Sequence, residues 1–115
     1  MTKFDLETRS TDFAKEVIKL CKNLKKGPLT NRLIDQVVGA SGSIGANYRE
    51  ANDALGKQDF IHKLKISRRE SKEAIHWLEL ILEADDTHED EIKILINECT
   101  ELRNILSSII TKTQV

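Results

Sequence analysis

Long apolar runs are missing from this chain. Its uninterrupted apolar stretches are a few residues each, far short of the roughly 20 that cross a bilayer as a helix, so no membrane span is expected. The first residues, Met1-Thr-Lys-Phe-Asp-Leu-Glu7, lack the apolar centre of a secretory leader, and a cytoplasmic location is the expectation. Proline occurs once, at Pro28, and aromatic residues make up only 4% of the 115 positions, with charged residues at 32%. That is the profile of a helical protein long enough for one core and too short for two, so a single domain over residues 1–115 is expected. Cysteine is scarce too. Cys21 and Cys99 both fall on apolar helix faces, where buried reduced thiols act as small hydrophobes rather than as a disulfide framework.

The chain also lacks a net charge of one sign: 18 basic and 19 acidic residues leave −1, which argues against a dedicated nucleic-acid binder. The charge is nevertheless sorted along the chain. Residues 1–69 hold 14 Lys/Arg against 8 Asp/Glu, and residues 70–115 hold 4 against 11.

Apolar spacing marks four helices and no strand. Phe13, Val17, Leu20, Cys21 and Leu24 form one face of a first helix over about 12–26, with Gly27-Pro28 as the stop signal. Thr30 or Asn31 can cap a second helix over about 30–55, whose inward stripe is Leu33, Val37, Ala40/Ser41, Ile44, Tyr48, Ala51 and Leu55, with Gly56 closing it. Asp59 precedes a third over about 59–84, carrying Phe60, Leu64, Ser67, Ser71, Ala74, Leu78 and Ile81. Thr87 can cap a fourth over about 88–112, with Ile92, Leu95, Ile96, Cys99, Leu102, Leu106, Ile109 and Ile110. Short connections favour antiparallel neighbours, hence an all-α, antiparallel up-down-up-down four-helix bundle.

Within the second helix, Gly39, Gly42 and Gly45 are costly, at roughly 1 kcal/mol each against alanine. The offsetting gain read from the sequence is close helix approach. Folding the second and third helices back about Gly56-Lys57-Gln58 sets Ser43 opposite Ser71 and Asn47 opposite Ser67, with Glu50 and Glu70 one turn away. Gly42, Ser43, Gly45, Asn47, Glu50, Ser67, Glu70 and Ser71 are therefore expected to form a hydrogen-bonded packing layer that fixes register.

A metal site is the rival reading, because Glu73-Ala-Ile-His76 has the Glu-x-x-His spacing of di-iron bundles and Glu50 and Glu70 stand nearby. Those sites need a second such motif, and neither His62 nor His88 has a glutamate three residues before it. No Cys/His cluster points to zinc, Ser43 and Ser71 lack a triad, and Gly39-x-x-Gly-x-x-Gly45 is not a phosphate loop. The expectation is thus no enzyme, no cofactor, no metal and no small-molecule substrate.

Charge placement points to partners instead. Lys15, Lys19, Lys22 and Lys26 line one face of the first helix and complement its C-terminal dipole. The third helix runs the other way, with Lys63, Lys65, Arg68, Arg69 and Lys72 in its first half and acids at its end, opposing the dipole. One pole, with Lys22, Lys25 and Lys26 near Asp85, Asp86 and Glu89 to Glu91, is expected to neutralise itself. The other, with Arg49, Lys57, Lys63, Lys65, Arg68 and Arg69, keeps a positive surplus for an acidic partner or nucleic-acid phosphates. Trp77 lies off the core stripe on a second line with Ile66 and Leu80, as expected either of a subunit contact in a homo-oligomer or of packing within the chain against the first or fourth helix.

Ser41-Gly-Ser-Ile-Gly-Ala-Asn-Tyr-Arg-Glu-Ala51, followed by Asp59-Phe-Ile-His-Lys-Leu-Lys-Ile-Ser-Arg-Arg-Glu-Ser71 and Glu73-Ala-Ile-His-Trp-Leu78, resembles the bacterial four-helix bundle proteins encoded in intervening sequences of 23S ribosomal RNA genes. The resemblance covers nearly the whole chain. It implies the same bundle, assembly into a ring-like homopentamer and no known catalytic activity. Related accessory proteins of diversity-generating retroelements bind a reverse transcriptase and nucleic acid through basic surfaces, and this chain departs from them in being slightly acidic.

Overall fold

The computed structural model describes residues 1–115 and contains α1 (Lys3–Asn23), α2 (Pro28–Asn52), α3 (Lys57–Ala84) and α4 (Glu89–Gln114), with a 3₁₀ turn at Asp86–His88. The helices form an antiparallel up-down-up-down bundle of 45 × 22 × 20 Å. Each packs on its sequence neighbours, most extensively α2 on α3, and α1 closes the ring against α4 through the thinnest seam.

The expected stripes make the core. Phe13, Val17 and Leu20 from α1, Val37, Ile44 and Tyr48 from α2, Leu64, Ala74, Leu78 and Ile81 from α3, and Ile92, Cys99, Leu102 and Leu106 from α4 are all buried. Where α1 meets α4, Arg9 forks onto Glu98 with Nε–Oε2 and Nη2–Oε1 both 2.7 Å, and Glu101 adds a longer contact at 3.4 Å. A bidentate, half-buried pair of this kind holds orientation as well as charge.

The boundaries differ from expectation for local reasons. Helix α1 starts nine residues earlier than the predicted Asp12, because buried Leu6 and Ser10 continue its stripe and Thr2 with Asp5 forms a capping box: Asp5 N–H donates to Thr2 Oγ1 at 3.2 Å and Thr2 N–H to Asp5 Oδ2 at 2.8 Å. The backbone and hydroxyl of Thr2 hold the Asp5 carboxyl below its ordinary pKa.

Gly27-Pro28 opens α2 instead of stopping α1. Gly27 is the N-cap and Pro28 the first helical residue, a position where the missing N–H costs nothing. Thr30 and Asn31 lie inside the first turn rather than capping it. Gly56 likewise precedes α3 as its N-cap, α2 stops at Asn52, and Leu55, expected in the core, is fully exposed on the turn. Asp85, not Thr87, caps the last connection: its carboxylate accepts from Thr87 N–H at 3.0 Å and from the Thr87 hydroxyl. Three acids, Glu89, Asp90 and Glu91, then occupy the first turn of α4, where the helix dipole favours them.

Candidate interaction surface

The expected serine layer does not form as a seam between α2 and α3. One serine crosses: Ser67 Oγ, fully buried, donates to the Ile44 carbonyl at 2.7 Å. The other buried serines bond back to their own helices, Ser10 to Glu7 O, Ser41 to Val38 O and Ser71 to Arg68 O. Ser43 and Asn47 pair only with each other, Asn47 Nδ2 donating to Ser43 O at 2.9 Å. The reason is rotation of α2. Its buried face centres on Val37, Ser41, Ile44 and Tyr48, which leaves Ser43, Asn47 and Glu50 along the edge beside α3, where Glu50 meets Lys63 at 3.2 Å. No buried side-chain nitrogen or oxygen lacks a partner.

The glycines also face elsewhere than expected. Gly45 is buried against α1: a Cβ built on it would lie 3.1 Å from Ser10 Oγ and 3.6 Å from Ser10 Cβ. Gly42 and Gly39 are exposed, with open space where a side chain would stand. Gly45 alone therefore carries the close approach, and its neighbour is the first helix, not the third.

The carboxylates of the metal reading are dispersed. Glu50 is tied to Lys63, Glu73 and His76 are exposed, and nowhere do three or more His, Cys, Asp or Glu side chains converge as ligands. Glu70 is half-buried, and that desolvation, helped by the neighbouring Glu73 and opposed by Arg69, pushes its carboxyl pKa up. Folding thus becomes more favourable as pH falls through the raised value, and at neutral pH the charge is a liability. Glu70→Gln is expected to raise the melting temperature at pH 7 by an amount worth at most about 1 kcal/mol, with the gain shrinking at pH 4; melts that shift equally at both values would contradict this.

The cations expected to share one pole separate into three groups. Arg49 belongs to the α1–α2 seam, with Nη1 3.0 Å from Glu7 Oε1 and Nη2 3.1 Å from Thr11 Oγ1. Lys63 is neutralised by Glu50, and Lys57 lines a cavity at the bundle end. The third group, Lys65, Arg68 and Arg69, remains on α3, where Lys72, outside the expected pole, joins it: exposed Lys65, Arg69 and Lys72 follow i, i+4, i+7 spacing, with half-buried Arg68 beside them. Of these, only Arg69 comes near a carboxylate, Glu70 at 3.9 Å. His62 and His76 extend the same exposed line at both ends.

The opposite pole does not neutralise itself as expected: Lys22, Lys25 and Lys26 form no ion pair with Asp85, Asp86 or Glu89 to Glu91, and the pole is closed by backbone hydrogen bonds instead. Asp85 accepts from the Lys25 backbone N–H at 3.3 Å, and His88 contacts the Asn23 carbonyl at 3.1 Å. Hydrogen bonds from the Thr87 hydroxyl and backbone, then from Lys25, lower the Asp85 pKa. The Lys26 ammonium turns back onto the carbonyls of Cys21 and Leu24, satisfying the end of α1.

Trp77 is half-buried against its own core, its ring edge-on to His76 with centroids 5.0 Å apart. Ile66 is half-buried on the same flank, and Leu80 is 38% exposed. With Leu29 at 64% and the open Gly39, the α2–α3 side has both uncovered apolar groups and uncovered backbone.

Together these features define a class: a small antiparallel four-helix bundle with a stripe of largely unpaired cations on the third helix and a partly apolar flank beside it. The chain belongs to the family of 23S rRNA-intervening sequence proteins, whose family model matches residues 2–108. Its fold is similar to the crystal structure of a protein of unknown function from the S23 ribosomal protein family of Bacteroides thetaiotaomicron, with a TM-score of 0.81 and 32% identity over 91% of this chain and 97% of that one. No curated protein matches the chain. No helix is long and apolar enough to cross a membrane.

Proposed function

We propose that this protein is a non-enzymatic, cytoplasmic, self-associating bundle that binds structured RNA, or a protein carrying it, through the solvent face of α3. The observation that carries this reading is the stripe of Lys65, Arg68, Arg69 and Lys72, in which three of the four cations enter no ion pair and the fourth only a long one. An external anion is the natural complement of such a stripe. Self-association, into a pentameric ring by family resemblance, would repeat the stripe around the assembly and multiply weak contacts. Ile66, Trp77 and Leu80 are the residues proposed for the subunit contact.

The test combines solution mass with RNA titration. Light scattering is expected to give a multiple of the 13.1 kDa chain mass. Binding of a ribosomal RNA hairpin by the Lys65→Glu, Arg68→Glu, Arg69→Glu variant is expected to fall by about 100-fold, with its log-log salt slope smaller by about 3. A monomer, or RNA affinity indifferent to both salt and the substitutions, would overturn the respective half of the proposal. A place beside a reverse transcriptase in a diversity-generating retroelement would use the same stripe, and what co-purifies with the chain separates the two settings.

A further inference from the structure

The bundle end away from the acidic pole holds an open cavity of about 810 Å³, where the start of α1, the α2–α3 turn and the end of α4 fail to meet. Its volume is in the range of small-molecule sites. The floor is apolar, built from Leu6, Tyr48, Phe60 and Ile109, of which Leu6 and Tyr48 are almost fully buried by the rest of the bundle. Around it stand Lys3, Lys57 and Lys112, one from each of three helices, and no lining residue is acidic. The N-terminus of the 28-residue α3 opens there as well, with Gly56 supplying no side-chain cap, which adds the positive end of a helix dipole. The cavities along the α1–α4 seam and at the acidic pole differ: both are lined by several carboxylates.

From this pairing of an apolar floor with a rim whose charged side chains are all cationic, we propose that the cavity binds a single-chain anionic amphiphile, a medium-chain carboxylate, with the aliphatic chain over Tyr48 and Phe60 and the carboxylate among Lys3, Lys57 and Lys112. The chain removes apolar surface from water while the head stays at the wet rim, where an ammonium can meet it without full desolvation. A flat basic surface would serve a nucleic-acid backbone; a recessed apolar floor serves an alkyl chain. The proposal is independent of the α3 stripe, which lies on the side of the bundle.

Calorimetric titration of the full chain with decanoate, below its micellar range, is compared with decylammonium. One decanoate per chain is expected, with decylammonium at least tenfold weaker. The Lys57→Glu, Lys112→Glu variant is expected to lose decanoate affinity at least tenfold while keeping the parent melting temperature. Should that variant not fold, Ala54→Phe, at the cavity wall, serves as a steric block and is expected to abolish binding. Equal affinity for the two amphiphiles, no binding by the parent chain, or binding untouched by whichever folded variant is measured would each overturn the proposal.

Discussion

Gly45→Leu is expected to destabilise the bundle by about 3 kcal/mol, while Gly42→Leu, one turn earlier in the same helix, is expected to stabilise the isolated chain by up to about 1 kcal/mol. At position 45 the first added carbon already lies 3.1 Å from Ser10 Oγ, and that serine is itself buried and bonded to the Glu7 carbonyl. Ser10 is only 1% exposed, so the remaining three carbons of leucine are expected to push α1 off α2. Overpacking of this kind is relieved by backbone displacement rather than by side-chain adjustment. At position 42 nothing stands within 4 Å, so removing a glycine from a helix interior leaves only the entropic gain. Urea unfolding of the two variants checks both signs. Two equal losses would mean that α1 is not seated as described. A Gly42→Leu chain that keeps its stability but drops in solution mass would place that glycine in the contact between copies.

Alkaline pH is expected to weaken the fold through Cys99. This thiol is fully buried and donates to the Ser71 carbonyl at 3.3 Å, and burial pushes its pKa from 9.0 to about 12. Between those values the unfolded thiol has lost its proton and the folded one has kept it, so unfolding releases a proton and stability falls with rising pH. The slope approaches about 1.4 kcal/mol per pH unit, and the loss ends above the folded value. Cys21 and Tyr48 shift in the same direction by desolvation, so the measurement needs a subtraction. Between pH 8 and 11, the parent is expected to lose about 3 kcal/mol more than Cys99→Ala. Parallel losses would show that the thiolate is solvated in the fold. The same burial predicts that iodoacetamide alkylates Cys99 only through unfolding, slower by roughly the unfolding constant, on the order of a thousandfold or more.

How far the sequence carries the structure depends on what kind of signal each residue emits. A repeating stripe is redundant: losing one member of Val37, Ile44, Tyr48 and Ala51 would not hide the helix, and each stripe is buried along its middle even though Leu55 is exposed and Leu33, Phe60, Ile96 and Ile109 are only partly covered. Boundaries rest on single residues with two meanings. Gly27-Pro28 reads equally as an end and as a beginning, and the backbone chose the beginning because α1 had already stopped at Asn23. The start of α1 was legible in principle from Thr2 and Asp5 at capping-box spacing, with Leu6 and Ser10 in phase with Phe13.

Partners across helices were the hardest part. A small rotation of α2 carries Ser43 and Asn47 out of the layer, and only tertiary packing sets that angle. The basic pole was legible as an excess of lysine and arginine, but not the way it divides. That Arg49 serves Glu7 and Thr11 depends on α1 lying beside α2, far away in sequence. The surviving stripe from Lys65 to Lys72 follows from helical spacing alone, which explains why that portion of the candidate surface was found in advance while the cavity at the bundle end was not.

The fork between Arg9 and Glu98 joins positions 89 residues apart. A ribosome delivers a chain from its N-terminus at about 5–20 residues per second, so α1 is complete seconds before its second neighbour exists. During that interval its α4-facing side, including Phe13 and Arg9, has only α2 and solvent. The α1–α2 and α2–α3 pairs are both synthesised before α4, and the bundle becomes whole only when the fourth helix emerges and the first is enclosed. Of the four helices, the one delivered first thus waits longest for the contact that closes the ring.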